Sequence, residues 1–252
     1  MTRMADGLYI LGDTVQDLNR NLAEVLQRAR NCGLTFKPKK IIIAPKTTTL
    51  FGWKRTDGGW CPSNHAISPL SIAPPPITAK QLRSFIGSYK QMSRCIPGYA
   101  VILAPLERAA AGKSSGSIIQ WSDELLKLFE EAKASLGNVD TIHVPKPSDK
   151  LDLYCDYSAE AQAVGGKLVI TRNDEEGEVK TLLAGHFSIR LTEHQQKWWP
   201  CEGEALAIRL TAQHFSPYIM EGIHDSVPLG STFILIIPPK NRCRCSRIES
   251  LQ

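Results

Sequence analysis

Leu151, Leu153 and Cys155 alternate with Asp152, Tyr154 and Asp156, the two-residue period of a half-buried strand. The small, polar run from Ser158 to Gly166 predicts a turn, and Lys167–Thr171 a second, antiparallel strand. Further on, Leu206, Leu210, Ala212 and Phe215 recur at helical spacing behind Glu204. Near the start, Val15, Leu18, Leu22, Val25, Leu26 and Ala29 predict an amphipathic helix capped by Thr14 and ended by Gly33. Leu8–Leu11, Ile41–Ile43, Thr47–Trp53 and Trp60 predict strands, with Asp57-Gly58-Gly59 as a turn. Ala73-Pro74-Pro75-Pro76 is a stiff connector. Beyond it Thr78 caps a helix with Leu82, Phe85, Ile86 and Tyr89 on one face and Lys80, Arg83, Lys90 and Arg94 on its other sides. Pro97-Gly98 interrupts the pattern, and Ala104-Pro105-Leu106 begins another helical piece. Ser122 then caps a helix striped by Leu125, Leu128, Phe129, Ala132 and Leu136, and Phe233–Ile237 predicts a late strand.

A chain of 252 residues, 42% of them apolar, fills one large or two modest domains with a real core. No apolar run reaches the roughly 18 residues of a membrane span, and no signal peptide opens the chain. Seven scattered cysteines, an odd number, favour a reduced, intracellular protein over a disulfide scaffold, with cytoplasm and nucleus not distinguished. Residues 1–145 carry 18 Lys and Arg against 11 Asp and Glu, a net +7, whereas residues 146–222 carry a net −4. A basic first half suits a phosphate backbone. An acidic second half suits a divalent cation. Asp156 at a strand end and Glu204 on a packed helix can aim two carboxylates at one metal, although either alone reads as a solvated charge. Cys243-Arg244-Cys245 lacks a second ligand pair, and His143, His186, His194 and His214 form no catalytic spacing.

Five blocks, in order, carry a resemblance: Tyr154-Cys155-Asp156-Tyr157-Ser158, Ala163-Val164-Gly165-Gly166-Lys167-Leu168, Ala184-Gly185-His186-Phe187-Ser188, Glu202-Gly203-Glu204-Ala205-Leu206-Ala207-Ile208 and His214-Phe215-Ser216-Pro217-Tyr218. Together they resemble the RNase H-like domain of the Pol polyprotein of gypsy-like LTR retrotransposons and retroviruses. The resemblance implies that Asp156 and Glu204 are catalytic and hold Mg²⁺ or Mn²⁺. It implies cleavage of the RNA strand of an RNA–DNA hybrid by metal-activated water. The family's third acid ends a strand. Here Phe233–Ile237 is followed by Pro238-Pro239-Lys240, and Asp225 lies before it.

The earlier segments resemble the end of a reverse transcriptase. Asp6 falls on the first of the two adjacent catalytic Asp of the palm hairpin, and Gly7 stands where the second belongs. Phe51-Gly52-Trp53 through Gly59 is similar to the primer-contacting hairpin, making Trp53 a nucleic-acid contact; simple core packing of Phe51 and Trp53 is the alternative. Thr78–Leu106 and Trp121–Leu136 resemble thumb and connection, most closely at Leu82-Arg83-Ser84-Phe85-Ile86-Gly87. Lys80, Arg83, Lys90 and Arg94 would then hold template–primer backbone as point charges. The expected fold class is α+β: a partial palm and helical thumb/connection, then an incomplete RNase H-like mixed α/β domain. The expected division is a palm edge over 1–72, thumb and connection over 73–145, an RNase H-like domain over 146–237 and a divergent tail over 238–252. The partners implied are an RNA–DNA hybrid or template–primer and the rest of a Pol polyprotein, with no membrane. Because part of both carboxylate sets is missing, polymerase and ribonuclease activities are expected to be lost or impaired. The alternatives are a non-catalytic nucleic-acid-binding relic and a decayed transposon copy.

Overall fold

The computed structural model describes residues 2–4, 7–10, 12, 14–43, 45, 47–56, 59–173, 177–224 and 234–236. The chain divides into two compact units, Met1–Lys46 and Thr47–Gln252.

In the first unit, strands β1 (Thr2–Met4) and β2 (Gly7–Tyr9) pair antiparallel, Met4 opposite Gly7. Asp6 lies outside the described residues. Helix α1 (Val15–Asn31) starts where the Thr14 hydroxyl accepts from the Asp17 N–H at 3.1 Å, a cap worth about 1 kcal/mol. The expected strand Ile41–Ile43 is irregular and exposed in the structure, following a 3-10 turn at Pro38–Lys40. Three β-branched residues have the right propensity, but no neighbouring strand pairs with them among the described residues, and a lone strand leaves its backbone groups unsatisfied.

The second unit opens with a three-stranded antiparallel sheet, β3 (Thr48–Leu50), β4 (Trp53–Thr56) and β5 (Gly59–Pro62). A helical layer follows: α2 (Asn64–Ser71), α3 (Ala79–Lys90), α4 (Tyr99–Ala110) and α5 (Asp123–Ser135). Thr78 and Gln81 form a reciprocal capping box on α3. Helix α4 begins five residues before the expected Ala104 start and carries Pro105 inside it. Burial of Leu103, Ala104 and Leu106 holds it together despite the lost backbone hydrogen bond. The layer's core centres on Leu82, Phe85, Tyr89, Leu103, Leu106 and Phe129, with the Phe85 and Phe129 rings 4.8 Å apart.

The last layer is a sheet in the order β8-β7-β6-β9: β6 (Lys150–Ser158), β7 (Ala163–Asn173), β8 (Val179–Arg190) and β9 (Ile234–Ile236). Both expected hairpin strands are present, with a turn shorter than the Ser158–Gly166 reading. Neighbours β6–β7 and β7–β8 are antiparallel, whereas β9 runs parallel to β6. Helix α6 (Pro200–His224) packs over β6 and β7, burying Leu206, Ala207 and Phe215 against Leu153, Cys155, Tyr157 and Leu168. Residues 140–143 stitch the layers together. Ile142 exchanges backbone hydrogen bonds of 2.7 and 2.8 Å with Trp60 on β5, and the His143 N–H donates to the Leu183 carbonyl on β8 at 2.7 Å.

Candidate active site and nucleic-acid interface

Asp156 is the seventh residue of β6, opposite Gly165 on β7, which in turn pairs with Ser188 on β8. Cys155 and Tyr157 lie in the core under α6, and Asp156 between them is half-buried. Glu204 lies in the second turn of α6, also half-buried. Two close approaches fix that helix on the sheet. A Cβ on Gly203 would fall 2.5 Å from the Tyr157 ring, and one on Gly166 would fall 2.5 Å from both the Tyr154 carbonyl and Thr211 Cγ2. The absent side chains are therefore what lets α6 sit close to β6 beside Asp156. Glu204 acts electrostatically on Cys155, the residue preceding Asp156. Burial pushes the Cys155 thiol up, the Thr211 hydroxyl opposes that shift, and the Glu204 charge adds to it. Both carboxylates interact with other protein groups.

No group of three or more His, Cys, Asp or Glu side chains suited to a metal ion occurs among the described residues. The parallel register of β9 with β6 runs from Asp152↔Ile234 to Tyr154↔Ile236 among the described residues. After Ile236 the first acidic residue in the sequence is Glu249.

The basic residues of the helical layer are engaged within the fold to different degrees. Arg83 donates to the carbonyls of Ala110, at 2.8 Å, and Lys113, closing the end of α4. Lys90 pairs with Glu107 at 2.5 Å. Arg94, in a 3-10 turn at Ser93–Cys95, donates to the Ala184 carbonyl on β8 at 3.1 Å. Lys80 is exposed on the first turn of α3. Trp53 is half-buried on β4, opposite Pro62, while its neighbours Lys54 and Arg55 are exposed and Arg55 sits 5.8 Å from the Trp60 ring centre.

Two side-chain pairs near the stitching segment went unread in the sequence. Arg172 on β7 grips Asp149 with two hydrogen bonds, of 2.8 and 2.6 Å, and Asp149 also accepts from the Lys146 N–H at 2.7 Å. His186 on β8 lies 2.7 Å from the Asp140 carboxylate. The pair members are 23 and 46 residues apart, so no local spacing announces them.

Residues 121–226 match the model of an RNase H-like domain found in reverse transcriptase. The match covers less than half of this chain. Among curated proteins the chain is 26% identical over 244 residues to the retrovirus-related Pol polyprotein from transposon 412 of Drosophila melanogaster, covering 95% of this chain and 19% of that protein. It is 28% identical over 160 residues to the Gag-Pol polyprotein of woolly monkey sarcoma virus, covering 63% of this chain and 9% of that one. The foamy viral protease-reverse transcriptase dRH in complex with double-stranded DNA superposes with a TM-score of 0.71 at 14% identity, covering 92% of this chain and 44% of that chain. The same viral protein in complex with an RNA/DNA hybrid gives 0.68 at 17%, over 92% and 29%. This retroelement Pol-like chain thus spans less than a fifth of the two polyproteins and less than half of either solved chain. Its RNase H-like match starts at residue 121, so α5 belongs to the matched region together with the sheet. No helix among the described residues is long and apolar enough to cross a membrane.

Acid sensitivity follows from the packing of this domain. His214 on α6 stacks on Phe187 at 4.8 Å and meets Phe215 edge-on. Burial first, then the Arg94 charge, holds its pKa below the ordinary value of 6.5. His143 is lowered by burial and then by Arg172. A folded pKa below the unfolded one means that the unfolded chain binds the proton first. The stability is therefore present above about pH 6.5 and lost as pH falls through the window beneath it. Urea midpoints are expected to drop between pH 7.5 and pH 5, and to drop less in His214→Phe.

Proposed function

We propose that this chain engages an RNA–DNA hybrid or template–primer as part of a larger Pol assembly, with Asp156 and Glu204 as the remnant of a hydrolytic site. The observation that carries the reading is the seating of Glu204 on α6 beside the strand of Asp156, within the region matched to the RNase H-like family. The solved relatives hold double-stranded DNA and an RNA/DNA hybrid, which supports a nucleic-acid partner of that kind here. The division into palm edge, thumb and connection, RNase H-like domain and divergent tail belongs to the same proposal. Asp6, Trp53 and Lys80 keep their assigned roles in it.

Asp156 and Glu204 would hold one divalent cation, Mg²⁺ or Mn²⁺. Bound there, the ion supplies Lewis-acid stabilisation of phosphate charge and a more acidic water. The chain's own part is to set the two carboxylates on a rigid strand and helix. Hydrolysis is impaired because a two-ion site requires more oxygen ligands than these two residues offer. A non-catalytic binding relic is the second reading, favoured by the lack of a three-ligand cluster among the described residues.

The test combines Mn²⁺ titration with cleavage of a labelled RNA–DNA hybrid, comparing the chain with Asp156→Asn and Glu204→Gln. Each substitution is expected to weaken Mn²⁺ binding about tenfold or more, and any residual cleavage is expected to vanish with it. Unchanged Mn²⁺ affinity in both variants would sink the metal assignment. Hybrid binding without cleavage in all three proteins would leave the binding relic. Failure of the folded chain to bind a hybrid would end the nucleic-acid reading.

A further inference from the structure

Arg94 reaches out of the helical layer into the RNase H-like domain and touches two of its elements. One terminal nitrogen donates to the Ala184 carbonyl of β8 at 3.1 Å, and the guanidinium lies 5.0 Å from the centre of the Tyr218 ring on α6. A methyl group on Gly185 would come within 3.2 Å of its Nε. That Nε is buried and has no hydrogen-bond partner among the described residues. Packing therefore dictates where the group sits more than polar satisfaction does. The Arg94 charge also reaches His214, one turn of α6 before Tyr218.

We propose that Arg94 is an inter-layer clamp. It fixes the helical layer to β8 and to the C-terminal half of α6, and it serves this packing rather than a phosphate. A planar guanidinium can lie over an aromatic ring while its edge donates to a carbonyl. A lysine ammonium offers one point of charge and no plane. The clamp holds α6 from the end opposite Glu204, so helix and sheet keep one relation to the thumb-like layer.

Native hydrogen exchange of the full chain tests this without nucleic acid. Arg94→Ala and Arg94→Lys should both speed exchange by about tenfold or more across residues 181–188 and 210–219. Amides of α3 and α5 should stay unchanged, which confirms that the helical layer is folded. If Arg94→Ala fails to fold, Arg94→Lys decides the question. Hybrid binding across a salt series supplies the second arm. A clamp leaves the slope of log affinity against log salt equal in both variants and in the parent. A phosphate ligand loses about one unit of slope in Arg94→Ala, keeps it in Arg94→Lys, and leaves exchange untouched. That pattern overturns the clamp, as does unchanged exchange with an unchanged slope. If no hybrid binds, the proposed function fails while the exchange arm still decides the clamp.

Discussion

Gly166→Ala is expected to destabilise the second unit by about 3 kcal/mol, the upper range for overpacking a close-fitted interior. The new methyl would sit 2.5 Å from the Tyr154 carbonyl and 2.5 Å from Thr211 Cγ2. The carbonyl belongs to the neighbouring strand and cannot rotate away without breaking the β6–β7 ladder. Thr211 is fully buried on α6, so relief on that side means lifting the helix. Lifting it would also draw Glu204 off the strand of Asp156. The urea midpoint should fall by roughly 1–2 M for a chain of this size. Mn²⁺ binding should weaken even where the protein remains folded. A midpoint within 0.2 M or so of the parent would mean that α6 rides higher on the sheet than this geometry has it.

Arg172→Ala should cost about 3–5 kcal/mol, the usual penalty for breaking a buried ion pair from one side. The Asp149 side chain is 0% exposed, so its charge loses the guanidinium without gaining water. Arg172 also donates to the Val144 carbonyl at 3.1 Å, so its removal frees the 144–149 connector from β7. Asp149→Ala in the same background should recover part of the loss, because the stranded charge disappears. A double variant as unstable as the two single losses added together would show that the residues act independently, against the paired geometry. Chemical denaturation of the four proteins closes the cycle.

Where local signals were strong, the sequence was legible. Thr14, Thr78 and Ser122 cap the helices expected behind them, because a hydroxyl before an apolar period has few other uses. The alternation of Leu151, Leu153 and Cys155 marked the core face of β6 in advance. Ile41–Ile43 misled for the converse reason: propensity describes a residue, whereas a strand requires a neighbour. Pro105 misled because tertiary burial outweighed a single missing N–H. The residue types of the acid pair were readable, and so was their placement on strand and helix. The engagement of Arg83, Lys90 and Arg94 within the fold was not. A basic side chain on a helix looks the same in sequence whether it meets solvent, a phosphate or a carbonyl 90 residues away.

The parallel pairing of β9 with β6 also constrains the order in which the chain can fold. Leu153 meets Leu235, more than eighty residues later. During synthesis, β6, β7 and β8 can zip together as a meander while β6 still presents an open edge. Closing that edge waits for α6 to cross over and for residues 234–236 to leave the ribosome. Until then the strand that bears Asp156 is a template for any other extended chain. A nascent or truncated copy ending before Ile234 should therefore self-associate through β6, and pairing at that distance makes the last step the slow one.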